Sequence, residues 1–308
     1  MRNLKFDLNV DSSALLCPNP QEFYGKAYIT EDVVNNFRTL PGIKSKTKVA
    51  TTSFANLLKD SSCDFVAGDQ TLSAIEVDVT PVSALAEICR FDIEASYLSQ
   101  AMAAGSAASF EVQPFMDFYW GEMAKEISAE VEQIRWKGNT TITGSTFLNL
   151  ADGYEKLLAA DSAVLDVTAT AVTVSNVLTA MAAVYNKMAT SAPALINRTA
   201  DLRLYVAPNV AAAYRQAVAA GNTQAFVTKN LDLTYLDIKI VVSQGMSANK
   251  MVLTLKDNLI YAFDGEGDGK ALKAINLEET VAEPKLRTRA NLKVGFQIVN
   301  PAEIVYFA

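Results

Sequence analysis

Histidine is missing altogether from the 308 residues. That removes the commonest general base near neutral pH and the commonest metal ligand, so imidazole catalysis is excluded. Cysteine is scarce: Cys17, Cys63 and Cys89 are odd in number, widely spaced and form no CxxC pair. This argues against a zinc knuckle or a thioredoxin-type centre and for free thiols in a reducing cytoplasm. Cations are too few for a dedicated nucleic-acid binder, since 27 Lys and Arg face 34 Asp and Glu for a net charge of −7. A long apolar run is lacking too. Residues 167–186 carry no charge, yet they hold four Thr, one Ser and two Asn, too polar for a membrane core. The opening MRNLKFDLNV has no apolar signal-peptide segment, so the chain is expected to be soluble and cytoplasmic when made.

What is present is apolar surface. Half of the residues are hydrophobic and mean hydropathy is +0.13. That suffices for a sizeable core in two lobes, and the excess points to contact with other subunits. Catalytic signatures are not present: GxSxG, GxGxxG and HExxH do not occur. Asp264-Gly-Glu266-Gly-Asp268-Gly269 imitates the start of an EF-hand loop. Position 12 of that loop would be Ile275 rather than a bidentate Glu. Asp264, Glu266 and Asp268 are therefore the sole candidate metal ligands. The expectation is a flexible acidic turn with no metal, no cofactor and no catalytic residue.

Periodicity organises the rest. The segment TEDVVNNFRTL reads as a short helix with Thr30 as its cap, after a breaker at Cys17-Pro-Asn-Pro20. Lys44, Lys46 and Lys48 alternate on one strand face, and Ile75–Val79 alternates with Glu76 and Asp78. Opposed in a hairpin, these two limbs would pair their charges. The connection FANLLKDSSCDFVAGDQTL exceeds an ordinary turn, and its apolar Phe54, Leu57, Leu58 and Phe65 have no evident local core. A long helix is expected over 110–137, with Phe115, Tyr119, Met123, Ile127, Val131 and Ile134 as its apolar stripe. An α/β stretch follows: a helix over 175–188, a strand at Leu202–Val206, and a helix from Pro208 to Gly221. Strands are then expected at Ile238–Val242, Met251–Leu255 and Leu259–Phe263. From Leu286 to Ile298 even positions are mostly apolar while Arg287, Arg289 and Lys293 occupy odd ones, and Glu303–Phe307 reads as a last strand.

This order resembles the Hong Kong 97-type capsid fold of tailed-phage major capsid proteins, encapsulins and herpesvirus capsid floors. The tail LRTRANLKVGFQIVNPAEIVYFA is similar to the family's closing segment, and LIYAFDGEGD to its exit from the axial domain. The resemblance implies an α+β fold with an N-terminal arm (1–42) and an extended E-loop hairpin (43–85). A peripheral domain (86–139 and 270–308) would carry the spine helix 110–137, beside an α/β axial domain (140–269). It also implies a structural role: self-assembly into an icosahedral shell around the double-stranded DNA of a bacteriophage. Copies would form hexamers and pentamers in the virion capsid, assembled in the host cytoplasm without a membrane.

Subunit-contact candidates are then Lys44, Lys46, Lys48, Phe54, Leu57, Leu58, Phe65, Glu76 and Asp78. Arg287, Arg289 and Lys293 are candidate inner-face cations for weak, non-specific contact with packaged DNA. Lys59 is a candidate donor for the family's occasional Lys–Asn crosslink. Some members carry a scaffolding domain before the arm; no room for one is expected here, so assembly would need a separate scaffolding protein or none, with a portal as a further expected partner. The alternatives are an encapsulin nanocompartment shell and, from another class, a cytoplasmic α/β enzyme using Asp264, Glu266 and Asp268.

Overall fold

Pro20 opens the first described helix, α1 (Pro20–Tyr28), at a position where its missing N–H is not needed. The computed structural model describes residues 20–28, 31–60, 67–89, 112–144, 146–221, 233–264, 272–277 and 281–308. Next come α2 (Glu31–Asn36), β1 (Arg38–Pro41), β2 (Lys46–Ala55), β3 (Asp69–Asp78), β4 (Thr80–Cys89) and the long α3 (Val112–Lys137). The chain divides into two units: Met1–Thr30 with Pro81–Ala129 and Gly265–Lys293, and Glu31–Thr80 with Glu130–Asp264 and Val294–Ala308.

The first unit contains α1, most of β4, the first part of α3, β11 (Leu272–Asn276) and the first part of β12 (Lys285–Ile298). Alternation in β12 works as expected: Leu286, Thr288, Ala290 and Leu292 are buried, whereas Arg287, Arg289 and Asn291 are exposed. β11 pairs antiparallel with Leu286–Ala290, and β4 also pairs with β12. On the buried side Tyr119 and Thr288 share a hydroxyl hydrogen bond of 2.9 Å, and the Tyr24 hydroxyl donates to the Asn291 carbonyl at 3.2 Å. Phe23 meets Tyr24 and Trp120 edge to face, 5.5 Å from each.

The long helix was expected to bury a stripe running mostly in steps of four. Ile127, Val131 and Ile134 are buried as expected, but toward the N-terminal side the buried residues are Trp120 and Ala124, while Tyr119 and Met123 are half-buried. Steps of four turn about 400° and drift off one face, whereas alternating fours and threes average 3.5 and hold it. The side chain of Phe115 lies outside the described residues.

In the second unit the sheet order is β5-β13-β9-β6-β8-β7. Its strands are β5 (Leu165–Val167), β6 (Leu202–Val206), β7 (Thr234–Tyr235), β8 (Ile238–Val242), β9 (Met251–Leu255) and β13 (Val305–Phe307). β6 runs parallel to β8 and antiparallel to β9. Helices α4 (Tyr154–Ala160), α5 (Val177–Ser191), α6 (Pro193–Ile196) and α7 (Pro208–Gly221) lie in the same unit. All five residues of β9 and of β10 (Leu259–Phe263) are buried, Thr254 included. Arg135 lies at the middle of a buried aromatic group, its guanidinium 5.1 Å from the Phe37 ring and 4.8 Å from that of Tyr261. Trp136, Tyr154, Tyr205 and Phe296 extend that group through ring contacts of 5.1–6.3 Å.

Three expectations need correction. The helix proposed for 30–40 stops at Asn36, because Arg38–Pro41 is drawn into a parallel pairing with Ile260–Phe263. A helix of six residues has little stability of its own to resist that. The last strand starts at Val305 rather than Glu303, since Pro301 opens a 3-10 turn through Glu303. The long loop after Ser53 shrinks as well: β2 runs on to Ala55 and β3 begins at Asp69.

Candidate interaction surfaces

The β2–β3 hairpin belongs to the second unit. Its register sets Lys46 opposite Asp78, Lys48 opposite Glu76 and Phe54 opposite Gln70. The Lys46 ammonium lies 2.7 Å from the Glu76 carboxylate and 3.3 Å from that of Asp78. The hydrogen bonds that its ammonium donates, first to Glu76 and then to Asp78, hold Lys46 above the ordinary lysine pKa. Being exposed, the pair contributes register more than stability. Lys44 precedes the strand and falls outside the paired register.

The hairpin's other face anchors its root. Val77 and Val79 pack with Ile260 and Ala262, joined by Leu40, Ile43, Val49 and Val299. Gly295 makes this possible, since a Cβ there would lie 2.2 Å from the Asp78 carbonyl oxygen. Gln297 adds a bond from its side-chain amide to the Glu76 carbonyl at 3.1 Å.

At the far end that packing is gone. Phe54, Leu57 and Leu58 are exposed, Leu58 at 97%, and Leu72 is 71% exposed. Phe54 and Leu72 share the face of the ribbon that carries Lys46 and Glu76, because their positions differ from those by even numbers. Leu72 escaped the sequence reading, although counting back in twos from Asp78 and Glu76 reaches it. Lys59 is exposed, and Phe65 lies outside the described residues.

A second surface lies on the exposed side of β12 in the first unit. Arg287 Nε donates to the Glu87 carboxylate at 2.6 Å, and Lys285 Nζ lies 3.0 Å from the same group. Arg287 and then Lys285 hold the Glu87 carboxyl below its ordinary value. Arg289 donates to Asn291 Oδ1 at 2.8 Å and to Ser83 Oγ at 3.3 Å. Lys293 continues the odd positions and is half-buried. On the other side, the register sets Lys273 beside Arg289 and Ile275 beside Arg287.

Of the proposed metal ligands only Asp264 is among the described residues; Glu266 and Asp268 are not. No group of three His, Cys, Asp or Glu comes together among the described residues. Cys89 is a free, half-buried thiol, while Cys17 and Cys63 lie outside the description. A groove of about 400 Å³ between β1 and the hairpin root is lined by Arg38, Thr47, Lys48 and aliphatic side chains. No helix among the described residues is long and apolar enough to cross a membrane.

No protein-family model matches the sequence, and no curated protein matches it. Solved structures do match. The procapsid of satellite phage P4 with its size determination protein gives a TM-score of 0.54 at 12% identity, covering 92% of this chain and 96% of that one. The capsid of Myoviridae phage XM1 gives 0.56 at 10% identity, covering 89% and 90%. The capsid of the native GTA particle gives 0.54 at 12% identity, covering 90% of each chain. The chain has a phage-capsid fold. At these identities the likeness rests on three-dimensional arrangement, and it runs nearly end to end in both directions. The matched neighbours are structural shell proteins.

Proposed function

We propose that this chain is the major capsid protein of a tailed bacteriophage, assembling with copies of itself into the icosahedral shell around the genome. The supporting observation is the capsid fold over about nine-tenths of the chain. A hairpin rooted in its own unit yet ending in uncovered Phe54, Leu57, Leu58 and Leu72 fits the same role. Apolar side chains on a thin ribbon have no core of their own, and a neighbouring copy is the natural cover.

In the family's terms, residues 1–42 are the arm, 43–85 the E-loop, 86–139 and 270–308 the peripheral domain, and 140–269 the axial domain. Helix 110–137 is the spine. The subunit meets others in hexamers and pentamers through Lys44, Lys46, Lys48, Phe54, Leu57, Leu58, Phe65, Glu76 and Asp78. A separate scaffolding protein and a portal take part in assembly in the host cytoplasm. Packaged DNA is touched weakly, with Arg287, Arg289 and Lys293 as the facing cations, in keeping with the net charge of −7.

Sedimentation and negative-stain microscopy of the protein expressed alone test this reading. Closed or irregular particles of megadalton mass are expected. A species that stays at 33.3 kDa at high concentration would overturn it.

A further inference from the structure

The exposed side of β12 carries more than the weak contact with packaged DNA proposed above accounts for. Lys273, Lys285, Arg287, Arg289 and Lys293 crowd one face of three paired strands, in a chain whose net charge is −7. Against them among the described residues stand Glu87 and Glu283, the latter 3.6 Å from Lys285. Two large apolar side chains flank the cations. Ile275 is 49% exposed beside Arg287, and Leu85, 72% exposed, sits between Ser83 and Glu87 on the other side. The hydrogen bonds from Arg287 to Glu87 and from Arg289 to Ser83 fix all these groups on the same face. Beneath them Leu286, Thr288, Ala290 and Leu292 of β12 are buried, so the exposed groups stand on a packed strand.

We propose that this face is a docking surface for an acidic, amphipathic segment of a partner protein, with carboxylates on Arg287, Arg289 and Lys273 and apolar side chains on Leu85 and Ile275. Charge complementarity selects an acidic occupant. Two features favour protein over duplex DNA. Phosphate binding gains from cations whose neighbours release freely, and here Glu87 already holds two of them with its own negative charge beside the contact. Leu85 and Ile275 offer nothing to a phosphate backbone but would bury Leu or Phe of a peptide, as the centre of a protein interface does. The planar Arg guanidinium also suits carboxylates two bonds at a time. The inference deepens the reading of the chain as a shell subunit by naming the chemistry of a partner other than a second copy.

The test uses the full-length protein, a labelled helical peptide with one Glu face and one Leu face, its Gln-for-Glu counterpart, and a labelled duplex DNA. Fluorescence anisotropy should give the Glu peptide at least tenfold tighter binding than the Gln peptide or the duplex. Lys273→Ala with Arg289→Ala, and separately Leu85→Ser with Ile275→Ser, should each weaken it about tenfold, with far-UV circular dichroism unchanged. Both double variants should still form particles. Tighter binding of DNA than of the Glu peptide would overturn the proposal, as would unchanged peptide affinity in both variants. Loss of particles in either double variant would overturn it too, since the face would then be covered by a second copy. Whether the wild type forms particles is read separately by microscopy, so failure of the shell reading is visible on its own.

Discussion

Tyr154, Tyr205 and Tyr261 are fully buried around Arg135. Burial raises the pKa of all three hydroxyls, and nearby guanidiniums only partly offset it, Arg135 at Tyr154 and Tyr261 and Arg203 then Arg135 at Tyr205. Tyr154 donates to the Ile260 carbonyl at 2.7 Å and Tyr205 to the Asn36 carbonyl, so the neutral hydroxyls hold the end of α2 and strand β10. The sign of the linkage follows. Each folded-state pKa lies above the unfolded value of about 10, so their contribution is intact below pH 10 and lost as pH rises beyond it. The slope is about 1.4 kcal/mol per pH unit for each tyrosine, hence about 4 for the three. Urea unfolding at pH 8 and pH 10.5 should therefore show a sharp alkaline loss, and Tyr261→Phe should lessen it by about a third. An unchanged midpoint would mean that the three hydroxyls reach solvent.

Among the elements, β12 and the hairpin root meet at close backbone range. Nothing flexible can yield at Gly295, because a Cβ there would strike backbone, at 2.2 Å from the Asp78 oxygen and 3.1 Å from its carbonyl carbon. Gly295→Ala should cost about 1–3 kcal/mol by forcing the strands apart. Gly121, inside α3 with nothing within 4 Å, is the control: Gly121→Ala should stabilise by about 0.5–1 kcal/mol. Chemical denaturation of both variants measures the contrast. Such joints also mark where sequence reading ran out. Leu202–Val206, Pro208–Gly221, Met251–Leu255 and Leu259–Phe263 were legible to the residue, because periodicity and breakers are local signals. Pairing is not local. Nothing in Leu259–Phe263 says that it lies between β1 and β12, or that Val305–Phe307 slots between β5 and β9. Short β1, with its Pro41, and β11, ending at Asn276, carry too little alternation to stand out. They exist because a long neighbour offers them hydrogen bonds.

At the scale of the molecule, two apolar sets decide different things. Ile127 lies inside the buried stripe of α3, and a carboxylate there would be buried without a partner at a cost of several kcal/mol. That is a large share of a domain's stability of roughly 5–15 kcal/mol, so Ile127→Asp should abolish the native fold. Phe54 and Leu72 lie on the opposite side of the ribbon from its root packing, and both stay exposed within the chain. Asp at either position meets water in the isolated subunit and costs little there. In a shell it would place a charge inside an apolar contact with the next copy. Phe54→Asp and Leu72→Asp should therefore keep the wild-type circular dichroism and denaturation midpoint while failing to form particles on sedimentation. Both stand on paired strands, Leu72 opposite Thr52 and Phe54 opposite Gln70, so the register fixes the face that each presents. If both variants assemble normally while Ile127→Asp unfolds, the uncovered face of the hairpin is not where the copies meet.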